Sequence, residues 1–244
     1  RADAKGLAAD LTVNQQKSVL QALALGLMEQ NTREFNLPLG SQLIQVKLAA
    51  VLGPDMDGEA FIKQTEDLSG LLVEREQGQY EFAHKSLQEY LAATEIKDTN
   101  QVFLLVNHFS DAWWDETIRL YAAQDDATEL IQAALERPNT ESLALAYDCM
   151  EEGAAIHPTV RQQLQDILDA GLESDAPDSF KFAVDVKLTR RLRKFVRVDD
   201  TTQIDNSYVT WAEYKRFLDH SEVKALLAIE EPLPIIPSEK FVPG

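Results

Sequence analysis

Cysteine is nearly absent: Cys149 stands alone, so no internal disulfide can form, and no second Cys or Cys/His grouping offers a structural zinc site. That usage fits a reducing cytosol. Glycine is scarce too. The ten glycines are scattered, and no Gly-x-x-x-x-Gly-Lys-Ser/Thr occurs in the 244 residues, so this sequence lacks the backbone cradle that nucleotide hydrolysis by a phosphate loop requires. No apolar run approaches the roughly 20 residues of a membrane helix, and Arg1-Ala2-Asp3-Ala4-Lys5 lacks the apolar core of a signal peptide. The chain reads as soluble and cytoplasmic. Basic residues are outnumbered, 23 against 41 acidic ones, and the formal charge of -18 repels nucleic acid and anionic lipid over most of the surface. We therefore expect neither nucleic acid nor membrane as a partner.

What remains is a chain that is 45% hydrophobic, enough for two or three compact units or one elongated array. Its pattern is mainly helical. Thr12 and Gln15 stand in capping-box spacing ahead of Val19, Leu20, Leu23, Leu27 and Met28, which predicts a helix over 11–30. Ser41 is a candidate cap for a second helix ending near Gly53-Pro54, and Asp57 for a third running through Phe61, Ile62 and Leu68. After Gly70 the pattern changes to two short runs, 71–75 and 79–82, joined around Gln77-Gly78, with Tyr80 and Phe82 on one face and Glu81 on the other. A helix resumes from Ser86. Helices, a hairpin wing and another helix make a winged-helix-like unit, expected over 1–98. The third helix carries Asp57, Glu59, Glu66 and Asp67 against a lone Lys63, opposite to a DNA-reading recognition helix.

Amphipathic helices are expected at 101–109, 113–124, 127–136, 141–152 and 159–172, separated by polar and proline breaks. Without a strict repeat signature, a HEAT-like or armadillo-like domain over 99–178 follows from helix length and spacing alone. Beyond an acidic linker at 173–179, a helix is expected over 180–194, then the run Phe195-Val196-Arg197-Val198, a polar turn, Ser207 to Thr210, and a helix over 211–218. The proline-rich tail after Glu231 is expected to be extended. The fold class is thus mainly α: a winged-helix-like domain with a β-hairpin wing, then an α-helical repeat or bundle, with a small α+β segment at the end. Because the helical pattern starts almost at Arg1, we expect a fragment of a longer polypeptide.

Few residues suit chemistry. Asp125-Asp126, Glu151-Glu152 and Asp199-Asp200 read as solvated surface or helix caps, since adjacent carboxylates point apart and none has a His at ligand spacing. Cys149 with His157 lacks a third, orienting group. Lys187, Arg190, Arg191, Arg193 and Lys194 read as the solvated basic face of a helix. No metal site and no catalytic residue is expected.

The stretch from Ser69, SGLLVEREQGQYEFAHKSLQEYLAA, closely resembles the winged-helix signature of NACHT NTPases, a branch of the signal-transduction ATPases with numerous domains. The match is carried by Ser69, Gly70, Leu71, Leu72, Arg75, Gly78, Tyr80, Phe82, His84, Gln88, Glu89, Tyr90, Ala92 and Ala93, with Leu87 where the family usually has an aromatic. Trp113-Trp114-Asp115-Glu116 resembles the stretch that opens the following helical domain. The resemblance implies that His84 contacts the β-phosphate of ADP in the parent protein, where ADP or ATP with Mg is bound by an upstream NACHT ATPase core, and that the activated parent oligomerises. Taken without the resemblance, His84 reads as an interfacial histidine bonded to a carboxylate or backbone group, and Gln88, Glu89, Tyr90 and Leu91 as orienting or core residues.

The C-terminal YVTWAEYKRFLDH resembles, over a shorter span, the opening of formylglycine-generating-enzyme-like domains with a C-type-lectin-like fold, through Val209, Thr210, Glu213, Tyr214, Phe217 and Leu218. The lone cysteine excludes that family's oxidase chemistry. The leading expectation is a non-catalytic regulatory or sensor segment of a NACHT-type NTPase, linked in bacterial relatives to stress or antiphage defence. In it the winged helix controls the nucleotide switch and the helical array relays protein or small-ligand binding. The alternative is a stand-alone helical-repeat scaffold that binds a protein or small ligand.

Overall fold

The computed structural model describes residues 12–227 apart from 77, 200 and 206; the expected tail after Glu231 lies outside them. The chain divides between Asp166 and Ile167 into two compact units.

The first unit begins with α1 (Val13–Glu29), and its capping box is the one expected: the Gln15 amide donates to Thr12 Oγ1 at 3.3 Å and Gln15 Oε1 accepts from the Thr12 amide at 3.0 Å. Val19, Leu20, Leu23, Ala24, Leu27 and Met28 bury one stripe of this helix. The second helix departs from expectation. It begins at Leu37, not at Ser41, because the Asn36 side chain accepts from the Leu39 amide at 2.9 Å, and Pro38, in the first turn, needs no hydrogen-bond partner for its nitrogen. Phe35–Asn36 is β1, Leu37–Leu52 is α2, and α3 (Gly58–Ser69) is capped by Asp57 as expected. Gly26 allows the close approach of α1 and α2, since a Cβ there would stand 2.8 Å from Leu43 Cδ2.

The wing is β2 (Leu72–Glu76) and β3 (Gln79–Phe82), followed by α4 (Lys85–Asp98). A third strand is unforeseen: β1 pairs antiparallel with β3, Phe35 opposite Tyr80, giving the order β1-β3-β2. In the core of this region α1 packs on α2 and α4, and Phe35, Ile44, Leu48, Ile62, Leu72 and Phe82 fill the space between helices and sheet.

Five short helices continue the chain, α5 (Phe103–Asn107), α6 (Asp115–Ala122), α7 (Thr128–Glu136), α8 (Thr140–Glu151) and α9 (Pro158–Leu172). The first two are shorter than the periodicity predicts, because turns take up Val102, residues 108–110 and Trp113-Trp114. The α8 segment Leu143-Ala144-Leu145-Ala146-Tyr147 is buried on every side, as befits a central helix. This array packs on the winged helix through α4 and α6, so residues on both sides of position 98 share one compact unit.

In the second unit, α10 starts at Pro177 and runs to Arg193. The expected linker is therefore shorter, since proline at the first helical position suits a helix start. Val196–Arg197 (β4) pairs with Gln203–Ile204 (β5); the helices α11 (Trp211–Leu218) and α12 (Ser221–Leu227) follow. The chain is mainly helical with small antiparallel sheets, the class expected. Among the described residues no helix is long and apolar enough to cross a membrane.

Candidate functional site

The NACHT-like signature is first a set of local structural solutions. Ser69 Oγ donates to the Thr65 carbonyl at 2.6 Å and accepts from the Leu71 amide, while Gly70, at φ 63°, closes α3 in the left-handed conformation that side chains resist. Leu72 pairs with Phe82 across the wing, and both are buried. Gly78 turns the hairpin at φ 81° and donates its amide to Glu74 Oε1 at 2.6 Å; next to it, a shift in register between Glu74 and Glu76 bulges β2.

Glu81 corrects a simple reading of the wing. It does face away from Tyr80 and Phe82, but it is only 7% exposed, because Arg75 Nε at 2.6 Å and Arg33 at 3.4 Å cover its carboxylate. Alternation gave the face correctly. It could not give the cover, since Arg33 comes from the loop after α1.

Helix α4 shows which signature side chains turn inward. Gln88, fully buried, donates through Nε2 to the Thr32 carbonyl at 3.0 Å and to Met28 Sδ at 3.5 Å, while its Oε1 has no protein partner. Buried Glu89 pairs with Lys85 at 2.7 Å, one helical turn earlier. Leu91, Ala92 and Ala93 are core. Tyr90 is not: at 38% exposure it lies on the outer side of the helix, because residues 88, 91, 92, 95 and 96 set the inward face.

His84 is the N-cap residue of α4, with extended backbone (φ -134°, ψ 140°). Its imidazole makes no capping hydrogen bond, its carbonyl accepts from the Leu87 amide at 3.1 Å, and the residue is exposed. Histidine is not among the residues that cap a helix well, so capping does not account for it. Nor does the interfacial bonded histidine that the residue alone would predict. The other signature side chains have a packing, turn or pairing role, Tyr90 through the Lys17 ammonium 5.7 Å from its ring centroid; His84 has none and sits beside the first amides of α4, which no helix can satisfy internally.

Sequence reasoning missed the neighbouring tie. The Lys85 ammonium lies 4.4 Å from the Trp113 ring centroid, and the Trp113 indole N–H donates to the Met28 carbonyl at 3.2 Å. The two tryptophans were legible; the partners of Trp113, distant in sequence, were not. Trp114 is buried and stacks on His108 at 4.4 Å between centroids.

The remaining candidates are structural. Asp126 accepts from the Thr128 amide at 2.8 Å near the start of α7, and hydrogen bonds from Thr128 hold its carboxyl below the usual range. Arg119 bridges Glu116 and Glu152. Asp199 accepts from Thr201 and Thr202 in a tight turn. Burial pushes the Cys149 thiol up to about 12, with Glu152 and Asp148 adding to the rise, while His157 is exposed and its Nδ1 accepts from the Thr159 amide. Arg191 corrects the basic-face expectation: its guanidinium is held by Asp205, by Glu213 at 2.6 Å and by the Ser207 carbonyl at 2.9 Å. Among the described residues there is no group of three or more His, Cys, Asp and Glu suited to a metal ion.

Neither the curated proteins nor the solved structures provide a match. The formylglycine-generating-enzyme-like resemblance of the C-terminal stretch gains no support from them. Residues 2–96 match the family model described as "Winged helix-turn-helix domain C-terminal to NACHT", a span that takes in α1, α3, the wing and most of the His84-headed helix α4. The chain thus carries a winged-helix domain similar to those that follow NACHT domains, which supports a NACHT-associated protein.

Proposed function

We propose that this chain is a non-catalytic regulatory segment of a NACHT-type signal-transduction NTPase, in which the winged helix holds the nucleotide-dependent switch through His84 and the helical array relays protein or ligand binding to it. The observation that carries this reading is the position of His84: an exposed imidazole at the head of α4, in the family-matched span, with no capping or packing role.

ADP or ATP with Mg belongs to the NACHT core, which supplies the phosphate loop that this sequence lacks. The local groups fit a single phosphate contact. An imidazole N–H and the first amides of a helix are donors suited to an anion, and the helix dipole favours negative charge there. Their part is to hold one conformation without any bond being made or broken. The relay has a physical route in Trp113, which belongs to the array and touches both Lys85, next to His84, and the end of α1. The -18 charge argues for protein or small-molecule partners over nucleic acid.

The test joins this chain to the NACHT core and titrates ADP by calorimetry, with His84 intact and as His84→Ala. Loss of a hydrogen bond to a charged phosphate predicts affinity about 10- to 100-fold weaker. Equal affinities refute the switch role.

A further inference from the structure

Between residues 181 and 197 the chain carries seven Lys and Arg against Asp185 alone, a reversal of sign in a protein with a formal charge of -18. Helix α10 gathers three of these cations on one face, because Lys187, Arg190 and Lys194 follow one another at three- and four-residue intervals. They line a groove of about 320 Å3 between α10 and the loop that leads into α11, within the size range of ordinary ligand pockets. Helical rise sets Arg190 about 4.5 Å along the axis from Lys187 and about 6 Å from Lys194, close enough for neighbouring cations to share one phosphate group. The opposite wall is already fixed. Asp205 and Glu213 line it, but Arg191 holds both carboxylates, and the Ser207 and Thr210 hydroxyls donate to the same two groups at 2.7 and 2.9 Å. Four cations thus line the groove against two carboxylates, a surplus that matches the charge of about -2 on a phosphomonoester. Lys187 makes no hydrogen bond or ion pair among the described residues, and Tyr208, on the rim, is 97% exposed.

We propose that this groove binds a nucleoside monophosphate, with its phosphate on Lys187, Arg190 and Lys194 and its base stacked on the Tyr208 ring. Inorganic phosphate would leave most of the groove and the Tyr208 ring unused. A small dianion also suits this protein better than a polyanion, since a nucleic-acid strand leaving the groove meets a surface of net negative charge.

The test is amide NMR on the full chain, titrated in turn with adenosine 5′-monophosphate, ribose 5-phosphate and a hexaglutamate peptide. The proposal predicts saturable shifts of the amides over 187–194 and 207–213, with the nucleotide bound about 10- to 100-fold tighter than the sugar phosphate. Tyr208→Ala, which removes an exposed ring and no internal contact, should erase that difference and leave ribose 5-phosphate binding unchanged. Lys187→Ala should weaken both phosphates about tenfold. No saturation by about 5 mM nucleotide overturns the proposal. So does equal binding of the two phosphates before Tyr208 is changed, which would leave an unselective anion site. Shifts of the same amides by hexaglutamate alone would make the groove a dock for acidic protein segments, and equally overturn it. His84 lies in the other compact unit, so any nucleotide contact there is read separately, at the amides of 84–88.

Discussion

The ammonium of Lys85 stands 4.4 Å from the ring centroid of Trp113, so the first residue of α4 is tied to a side chain of the helical array. Because the Trp113 indole also donates to the Met28 carbonyl, one side chain holds the start of α4 and the end of α1 together. Replacing Trp113 by Ala removes the ring and the bond, and should cost about 2–3 kcal/mol in urea unfolding, since the residue is only partly buried. Trp113→Phe should lose only about 1 kcal/mol, the share of the hydrogen bond. Equal, negligible losses would remove the tie from the account.

Glu81 predicts an asymmetry. Its carboxylate is buried while Arg33 and Arg75 remain partly exposed, at 40% and 58% for their side chains. Arg75→Ala should destabilise by about 1–2 kcal/mol, because it strips the nearest cation from a buried carboxylate, whereas Glu81→Ala should cost less than about 1 kcal/mol, because the two arginines it leaves behind are exposed enough to regain water. Chemical denaturation of the two variants checks the order.

Which of these features could be read from sequence follows from the range of the interactions. The Thr12–Gln15 box and the Asp57 cap lie within three residues of the amides they satisfy, so composition at fixed spacing was enough. The cap at Asn36, in contrast, is masked by Pro38, a residue more typical of turns, although proline is tolerated in a first helical turn. Strand β1 exists only through pairing with Tyr80, and no local pattern in two residues could announce it. His84 was legible as a candidate through the signature; its exposure was not, and Tyr90 was misplaced because its residue type outweighed the helix phase set by its neighbours.

Cys149 should be chemically silent. A thiol pushed from 9.0 to about 12 by burial has roughly a thousandfold less thiolate near pH 8, and the residue is almost wholly enclosed. Iodoacetamide labelling should therefore be slower by at least that factor in the native chain than in urea. Rapid native labelling would show that α8 opens readily.

In the second unit, Arg191 gathers Asp205, Glu213 and the Ser207 carbonyl, and Glu213 also completes the capping box of α11 with Thr210. Arg191→Lys should fail to restore what Arg191→Ala removes, because an ammonium does not reproduce the planar fork. Faster amide exchange across 211–218 in both variants is the expected result. The Asp205 carboxyl is held below its ordinary 3.8, first by the Ser207 hydroxyl and then by Arg191. A depressed folded value contributes stability that is present above the unfolded value and lost as pH falls through the folded one. Protection of 211–218 should thus persist at pH 5 and decline only below about pH 4.

The central claim is that His84 helps hold a NACHT core in its ADP-bound state. Stopped-flow release of a fluorescent ADP from the core, alone and joined to this chain, tests it most directly. The account predicts release slowed about tenfold or more by the joined chain and restored towards the core-alone rate by His84→Ala. Equal release with and without the chain, or slow release unaffected by His84→Ala, would contradict it.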